Sequence, residues 1–277
     1  MRYFSLFALG VAVIVGCAPN KEMPETLPTI TIETPDPNGT PPATSEPAAK
    51  AIIERAVKAI GENVPGGIAR TKVCTCILKG KVFLPNEALP LEATRRFDAV
   101  WPDKAHVAYI YKDNKLPDQI LRLQRPLGWM TVGGKSQPTA NAADAGKLLF
   151  TDIVAQYWVP LGQVFTDARV IVYDVQKVAD IEPRATSIKI VFPELPVYLV
   201  AFDDASGLPV RVECHPMLGG QRVREVFTMT GHRPAGGFML PTVMKYTQRS
   251  REAEEWTVEK WEFPEKHDEA LFAAPKE

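Results

Sequence analysis

The 277-residue sequence predicts a mainly β fold with a few helices (α+β), built on a long antiparallel sheet that curls into a concave face. Its main indication is a series of five short apolar or alternating segments between residues 196 and 263, separated by turns of Gly, Pro, Asp and Ser. Segments of this kind at near-regular spacing are typical of an antiparallel meander. In one of them, Val210 and Val212 alternate with Arg211 and Glu213, as expected for a strand with one buried and one solvated face.

A change of parity in the last segment predicts the curvature. Trp256 and Val258 share one face of this strand, whereas Trp261 and Phe263 share the other. Because side chains alternate strictly along a strand, one extra residue is needed to return both pairs to the core. We therefore expect a β-bulge near residues 259–260, which would bend the sheet.

The chain begins with a segment typical of export signals. One basic residue, Arg2, precedes an apolar run over residues 3–15 that has the length of a signal-peptide core. The run ends in IVGC, residues 14–17, which resembles a bacterial lipobox. This resemblance implies removal of residues 1–16 and attachment of lipid to the sulfur of Cys17. The alternative is an ordinary signal peptide with an incidental cysteine.

The predicted anchor at Cys17 also predicts the localisation. Two or three acyl chains hold a protein stably on a membrane, so the membrane is the first expected partner. The residue after the cysteine is Ala18, and in enteric bacteria an Asp at this place would favour retention at the inner membrane. We therefore expect a lipid-anchored protein of the bacterial cell envelope, at the outer membrane and facing the periplasm.

Residues 17–46 are predicted to form the lipidated cysteine and a disordered tether behind it. This segment is rich in Pro and Thr and has few large apolar residues, so it cannot bury a core. At about 3.1 Å per residue, an extended segment of this length could reach about 90 Å from the membrane. The folded domain is expected over residues 47–277.

The first predicted element of this domain is a helix that is capped by Ser45 and stops at Gly61. Its apolar residues recur at i, i+3 and i+4 spacing, which indicates one buried face. Strand-like segments follow, each bounded by turn residues. They cover residues 72–84, 91–101, 104–111, 119–125 and 129–132.

A second, central helix is predicted over residues 141–158, where the period of the apolar residues changes. They form a stripe at i+4 spacing that Leu148 widens, and further apolar residues lie outside it. Such a helix could press on the concave face of the sheet and keep an edge that faces a ligand; the alternative is a core helix with nothing bound. The residues predicted to line a ligand cavity are Leu149, Phe150, Ile153 and Tyr157. Strand segments at 169–178 and 186–192 then lead into the meander, and a short helical turn is expected within 267–275.

Three cysteines fall in the predicted domain, an odd number for an oxidising compartment. Cys74 and Cys76 lie two apart on a predicted strand, and Cys214 lies in a loop next to His215. At most one disulfide can form, Cys76–Cys214 or Cys74–Cys214, and only if those strands meet. A metal site of the three cysteines and His215 is an alternative, although C-x-C…C-H matches no common zinc pattern. We expect small buried side chains instead, with neither metal nor cofactor.

The sequence contains no motif that predicts catalysis. It has no G-x-S-x-G elbow, no H-E-x-x-H pair, no phosphate-binding loop and no dinucleotide fingerprint. Asp203-Asp204 precede a turn, which favours a hairpin over a catalytic acid pair. The protein is therefore expected not to be an enzyme.

The charge balance argues against nucleic acid as a partner. The chain contains 32 Lys and Arg residues and 33 Asp and Glu residues, so no basic excess attracts phosphate. The short cluster Arg249-Ser250-Arg251 fits a solvated hairpin tip. We expect a monomer.

A set of short motifs accompanies this order of elements. They are the helix end Ile60-Gly61, the strand with Leu78-Lys79-Gly80, VAFD at 200–203, SGLPVRVE at 206–213, GFMLP at 237–241 and Glu255-Trp256. Together with the lipobox and the tether, they resemble the LolA/LolB/LppX-like superfamily, the outer-membrane lipoprotein-sorting-protein-like group. The resemblance covers residues 47–275 and implies a curved antiparallel half-barrel with helices over its concave face. Members of this superfamily carry lipids or lipoprotein acyl chains, and some related half-barrels sense envelope stress.

The predicted anchor argues against a carrier that diffuses between membranes. We therefore predict a non-enzymatic envelope lipoprotein that binds a lipid, or the acyl chain of a lipidated protein, in an apolar cavity of the half-barrel. The alternative is an interaction or stress-sensor module with a solid core and no bound lipid.

Overall fold

The structure, a computed structural model, describes residues 41–61, 63–85, 87, 89–112, 116–137, 142–181, 184–218 and 221–275. The predicted signal peptide, Cys17 and most of the predicted tether lie outside these residues. The described part contains two α-helices, α1 (Pro47–Gly61) and α2 (Ala142–Ile153). A π-helical turn, Val154–Trp158, extends α2 without a break.

Strands occupy most of the remaining described chain. They are β1 (Val73–Val82), β2 (Leu91–Val100), β3 (Lys104–Tyr111), β4 (Gln119–Gln124), β5 (Leu127–Val132), β6 (Lys135–Ser136), β7 (Ile171–Val178), β8 (Ala185–Val191), β9 (Tyr198–Asp203), β10 (Pro209–Cys214), β11 (Met217–Leu218), β12 (Gln221–Arg222), β13 (Glu225–Thr230), β14 (Arg233–Ala235), β15 (Phe238–Leu240), β16 (Val243–Gln248) and β17 (Arg251–Glu262). Within the described residues, thirteen of them form one sheet, and β11–β12 and β14–β15 pair separately.

The strand order joins two meanders at a central seam. It runs β6-β5-β4-β3-β2-β1-β17-β16-β13-β10-β9-β8-β7, and all the pairs are antiparallel. The N-terminal meander runs outward from β1 to β6, and the C-terminal meander runs inward from β7 to β17. The seam is the pair of β1 and β17, the first and last strands of the sheet in the chain.

The central helix connects the outer ends of the two meanders across one face of the sheet. α2 contacts β4 and β5, whereas the π-helical turn contacts β10. β5 and β10 are eight intervals apart, which is about 38 Å on a flat sheet at about 4.8 Å per interval. The helical segment from residue 142 to residue 158 is only about 25 Å long at about 1.5 Å per residue. The sheet therefore curves around it, and the predicted α+β fold with a helix on the concave face is confirmed.

The seam contains the predicted bulge. Leu78 pairs with Val258, whereas the preceding Ile77 pairs with Lys260, which leaves Glu259 as an extra residue. Both tryptophans of β17 are consequently buried although their spacing is odd.

Two glycines let α2 approach β5 closely. A Cβ atom on Gly128 would stand 2.7 Å from the backbone nitrogen of Gly146, and one on Gly146 would collide with the carbonyl oxygen of Pro126. The backbone of the first turns of the central helix is thus in direct contact with the backbone of the N-terminal meander.

α1 lies against the C-terminal meander, where it contacts β7 and β15. Ser45 was predicted to cap this helix, but its Oγ accepts a hydrogen bond from the Val172 nitrogen at 3.0 Å and so ties the helix start to β7. The buried residues of α1 are Ala49, Ile53, Ala56, Ile60 and Gly61.

One predicted strand of the meander is two strands in the structure. The segment over 238–247 is interrupted at Pro241, which has no N–H to donate to a ladder. β15 before it pairs with β14, whereas β16 after it joins the main sheet. The predicted turn near the C-terminus is a single 3-10 turn, Glu269–Leu271.

Within the described ranges, neither helix is long and apolar enough to cross a bilayer. The described helices, strands and buried core all lie between residues 47 and 272. The described elements and core residues thus fall within the range 47–277 that was predicted for the folded domain.

Candidate functional site

A groove of about 640 Å³ lies beside α2. One wall is a face of α2 formed by Asp144, Lys147, Leu148 and Thr151. The other lining segments are the loop after β8, residues 194–197, and the segment from β10 to β12, which contributes residues 215–217 and 222.

The helical period explains the wall that α2 supplies. Its four residues are spaced i, i+3, i+4 and i+7, so they form one face of the helix. Lys147 on this face is exposed and Leu148 is half-buried. The helix thus turns one mixed face to the groove and its other faces to the core.

The other lining segments are mainly apolar. Residues 195–197 are Leu-Pro-Val, and Pro216 and Met217 lie next to them around the groove. Met217 is 54% exposed, so a large apolar side chain faces solvent at this place. Together with Leu148, these residues form an apolar surface that an elongated apolar ligand could cover.

Two cations border the groove without a counter-charge among the described residues. They are the Lys147 ammonium on α2 and the Arg222 guanidinium on β12, neither of which forms an ion pair there. By contrast, the Glu194 carboxylate lies 3.7 Å from the Arg125 guanidinium. The groove therefore combines an apolar surface with two uncompensated positive charges.

His215, the residue directly after β10, is the histidine that lines the groove. Its Nε2 lies 3.7 Å from Oε1 of Glu213. Burial lowers the pKa of His215, and the charge of Glu213 opposes this shift. No group of three or more His, Cys, Asp or Glu side chains with metal-binding geometry occurs in the described part of the chain.

The residues predicted to line the cavity are located elsewhere. They are Leu149, Phe150, Ile153 and Tyr157, and each is at most 4% exposed in the filled interior. Tyr157 stacks on Phe97 of β2 with ring centroids 3.6 Å apart. This corrects the prediction: the space between the central helix and the sheet is packed, and the open edge of the helix lies at Leu148. Leu148 was visible in the sequence as the residue that widens the apolar stripe.

An acidic pair lies under the central helix, and the sequence pattern did not indicate it. Asp152 of α2 is hydrogen-bonded to Glu225 of β13, and both residues are buried. Oε1 of Glu225 accepts hydrogen bonds from the Tyr246 hydroxyl at 2.8 Å and from Nε2 of Gln248 at 3.0 Å. Burial, the neighbouring charge of Glu225 and the hydrogen bond to it raise the pKa of Asp152 well above its usual range. The direction of this shift favours Asp152 as the partner that keeps a proton and donates it to Glu225.

A second buried polar group joins the two meanders next to the seam. Arg95 of β2 is 1% exposed, and its NH1 nitrogen donates to Oε2 of Glu254 on β17 at 2.6 Å. Nε1 of Trp256 donates to the same carboxylate at 2.7 Å, and the Arg95 guanidinium lies 4.6 Å from the Trp256 ring centroid. The NH1 nitrogen of Arg95 also donates to the Tyr109 hydroxyl at 3.2 Å. The pair is thus enclosed by aromatic side chains and hydrogen-bonded on both sides.

The candidate disulfide Cys76–Cys214 is not formed. Cys74, Cys76 and Cys214 are all free and buried, and three strands of the sheet lie between β1 and β10. Burial raises the pKa of each thiol. All three are therefore small buried side chains, and the alternative Cys74–Cys214 bridge is excluded for the same reason.

Comparison with known proteins links the chain to others by structure only. No protein-family model and no curated protein matches the sequence. The structure is similar to that of a LolA superfamily protein from Nitrosomonas europaea, with a TM-score of 0.52, 11% identity, and coverage of 82% of this chain and 97% of that chain. At this identity the likeness concerns the fold alone, and it confirms the fold that the resemblance implied.

Two further solved structures have TM-scores below 0.5, and we draw nothing more from them. A domain from Vibrio parahaemolyticus described as an outer membrane lipoprotein-sorting protein has a TM-score of 0.49 and 12% identity, over 81% of this chain and 96% of that one. A DUF1329 family protein from Desulfovibrio piger has a TM-score of 0.48 and 7% identity, over 82% and 96%.

Proposed function

Because the chain has the fold of a LolA superfamily protein and an open groove beside α2, we propose that it is a non-enzymatic lipoprotein of the bacterial envelope that binds a lipid or acyl chain. The observation that carries the proposal is the groove, where apolar side chains face solvent at the edge of the central helix. The binding surface is the Leu148 side of α2 together with residues 195–197, Pro216 and Met217.

Size and chemistry support this choice of ligand. A volume of about 640 Å³ lies within the range of about 300–1,000 Å³ that is usual for ligand pockets. Each methylene group that leaves water for such a surface contributes about 0.8 kcal/mol. An acyl chain thus gains affinity by contact alone, without any catalytic group.

The proposed anchor is lipid on Cys17, which would keep the groove close to a membrane. A tether over residues 17–46 would let the domain reach lipid or lipidated proteins at a distance. Replacement of Cys17 by Ala should release the full chain from membranes and abolish its labelling by radioactive fatty acid. Labelling that persists in the variant would exclude Cys17 as the site.

The filled interior favours a second candidate, an interaction or stress-sensor module that binds no lipid. In the described structure, the stack of Tyr157 on Phe97 occupies the place where a half-barrel cavity was expected. In this case the groove would accept a protein partner, and a lipid would not compete for it.

Photo-crosslinking in cells distinguishes the two candidates. Cells that express the full chain are given a fatty acid with a photoactivatable group in its chain, and the labelled peptides are mapped by mass spectrometry. We expect labels on the peptides that contain Leu148 and residues 195–197. Labels spread over the whole surface, or none, would contradict lipid binding.

A matched pair of variants provides the control. Leu148→Asp places a charge in the groove and should abolish the labelling of the groove peptides, whereas Ile110→Asp changes an exposed side chain of β3 outside the groove and should leave that labelling intact. Equal labelling of both variants would show that the groove is not the site.

A further inference from the structure

We infer that the ligand of the groove is a single-chain anionic lipid, with one acyl chain and a carboxylate or phosphate head. This inference rests on the proposed function and narrows it. Its two parts, the single chain and the anionic head, follow from the volume of the groove and from its charges.

The volume of the groove matches one long chain. At about 30 Å³ per heavy atom, the share of a water molecule in the liquid, about 640 Å³ holds about twenty heavy atoms. One fatty acid of sixteen to eighteen carbons has about this size. A phospholipid or an acylated cysteine, with two or three chains, would leave part of these chains outside the groove, because the packed interior behind α2 has no space for them.

The charges select the head. Lys147 on α2 and Arg222 on β12 both border the groove and form no ion pair within the described residues. Of the two acids at the groove, Glu194 is paired with Arg125 at 3.7 Å, and Asp144 is engaged in an interaction of its own. An anionic head bound by the two cations would neutralise their charges, whereas an uncharged head would leave both charges without a counter-ion.

The exposure of these groups gives the orientation of the ligand. Lys147 and Arg222 are exposed, whereas Leu148 next to Lys147 is half-buried. The head would therefore lie at the solvent side, and the chain would run along Leu148 and residues 195–197. Arg222 can bind a carboxylate or a phosphate with two parallel hydrogen bonds, which favours either of these heads.

The test is a binding competition on residues 41–277, which contain the complete described domain. A fluorescent long-chain fatty acid is the tracer, and palmitate, hexadecyl phosphate, uncharged hexadecanol and dipalmitoyl phosphatidate are the competitors. We expect palmitate or hexadecyl phosphate to compete about tenfold better than hexadecanol, because two exposed ion pairs together contribute about this factor. Dipalmitoyl phosphatidate should compete about as weakly as hexadecanol.

Variants connect the preference to the two cations. Lys147→Gln combined with Arg222→Gln should weaken the binding of palmitate about tenfold and leave the binding of hexadecanol unchanged. The matched control, Lys50→Gln combined with Arg70→Gln, removes two exposed cations outside the groove. It should change the affinity of neither palmitate nor hexadecanol.

The outcomes separate this inference from the proposed function. Equal competition by palmitate and hexadecanol would overturn the anionic head but keep acyl binding. Strong competition by dipalmitoyl phosphatidate would overturn the single chain. A tracer that does not bind at all would overturn both this inference and the proposed function.

Discussion

At the scale of single residues, the concave face contains a pH-dependent contact. Asp152 of α2 is buried, and the side chains around it that titrate or carry charge are Glu225, Glu254, Arg95, Cys214, Tyr198 and Tyr246. Folding raises the pKa of Asp152, so the native state keeps a proton that the unfolded chain has lost. Its contribution to stability is complete below the ordinary pKa of an aspartate and is lost as the pH rises through the folded pKa.

We therefore expect Asp152→Asn to flatten the pH dependence of stability. Asn donates the hydrogen bond to Glu225 without a titrating proton. The free energy of unfolding of the variant should therefore rise relative to that of the wild type by up to about 1.4 kcal/mol per pH unit above pH 4. Urea unfolding of residues 41–277 between pH 4 and 9 measures the difference. Glu87→Gln, at an exposed position, is the control. Parallel curves for Asp152→Asn and the wild type would mean that Asp152 is ionised in the native state.

The buried pair of Arg95 and Glu254 should be costly to break from one side. Arg95→Met leaves the Glu254 carboxylate buried with hydrogen bonds but without its cation, and we expect a loss of about 3–5 kcal/mol. The double variant Arg95→Met/Glu254→Gln removes both charges and should recover at least half of this loss. Chemical unfolding of the two variants measures the coupling. If the double variant is as unstable as the single one, packing rather than charge explains the effect.

At the scale of elements, the central helix has two faces with separate roles. Ile153 is 1% exposed in the core, whereas Leu148 is half-buried at the groove. Ile153→Ala should therefore cost about 2–5 kcal/mol, and Leu148→Ala should cost clearly less but weaken the binding of a fatty acid. Thermal unfolding and the tracer assay measure the two effects. Equal losses of stability would mean that Leu148 is part of the core.

The extent of this helix could be predicted from the sequence, but its open edge could not. The i+4 stripe through Leu149, Ile153 and Tyr157 gives the core face correctly, because apolar periodicity reports burial. It does not report which neighbouring element buries each side. The groove wall depends on where residues 195–197 and Met217 lie. These residues belong to connections between strands of the main sheet, where the sequence has no apolar periodicity from which their position could be predicted. The acid pair was missed for a related reason: Asp152 and Glu225 are far apart in sequence and meet only through the fold.

At the scale of the whole molecule, the seam between β1 and β17 decides whether the two meanders form one sheet. The bulge at Glu259 was predictable because it leaves a mark within one strand, the reversed parity of apolar residues. The pairing itself was not, since it joins residues 75–82 with residues 254–262, more than 170 positions apart. This pairing also explains why a glycine is needed at position 80. Gly80 faces Trp256 across the seam, and a Cβ atom would stand 2.8 Å from a ring carbon of Trp256 and overlap the Glu255 carbonyl oxygen.

Gly80→Ala should therefore weaken the seam itself. Because the obstructing atom is backbone, the two strands must separate to accept the methyl group, and we expect a loss of about 1–3 kcal/mol. The exposed neighbour Lys81 provides the matched control, since Lys81→Ala should stay within about 0.5 kcal/mol of the wild type. Hydrogen exchange should then show faster amide exchange in both β1 and β17, while the hairpin of β7 and β8 at the far edge remains unchanged. Faster exchange in β1 alone would mean that the strand distorts locally and that the two meanders hold together without close contact at Gly80.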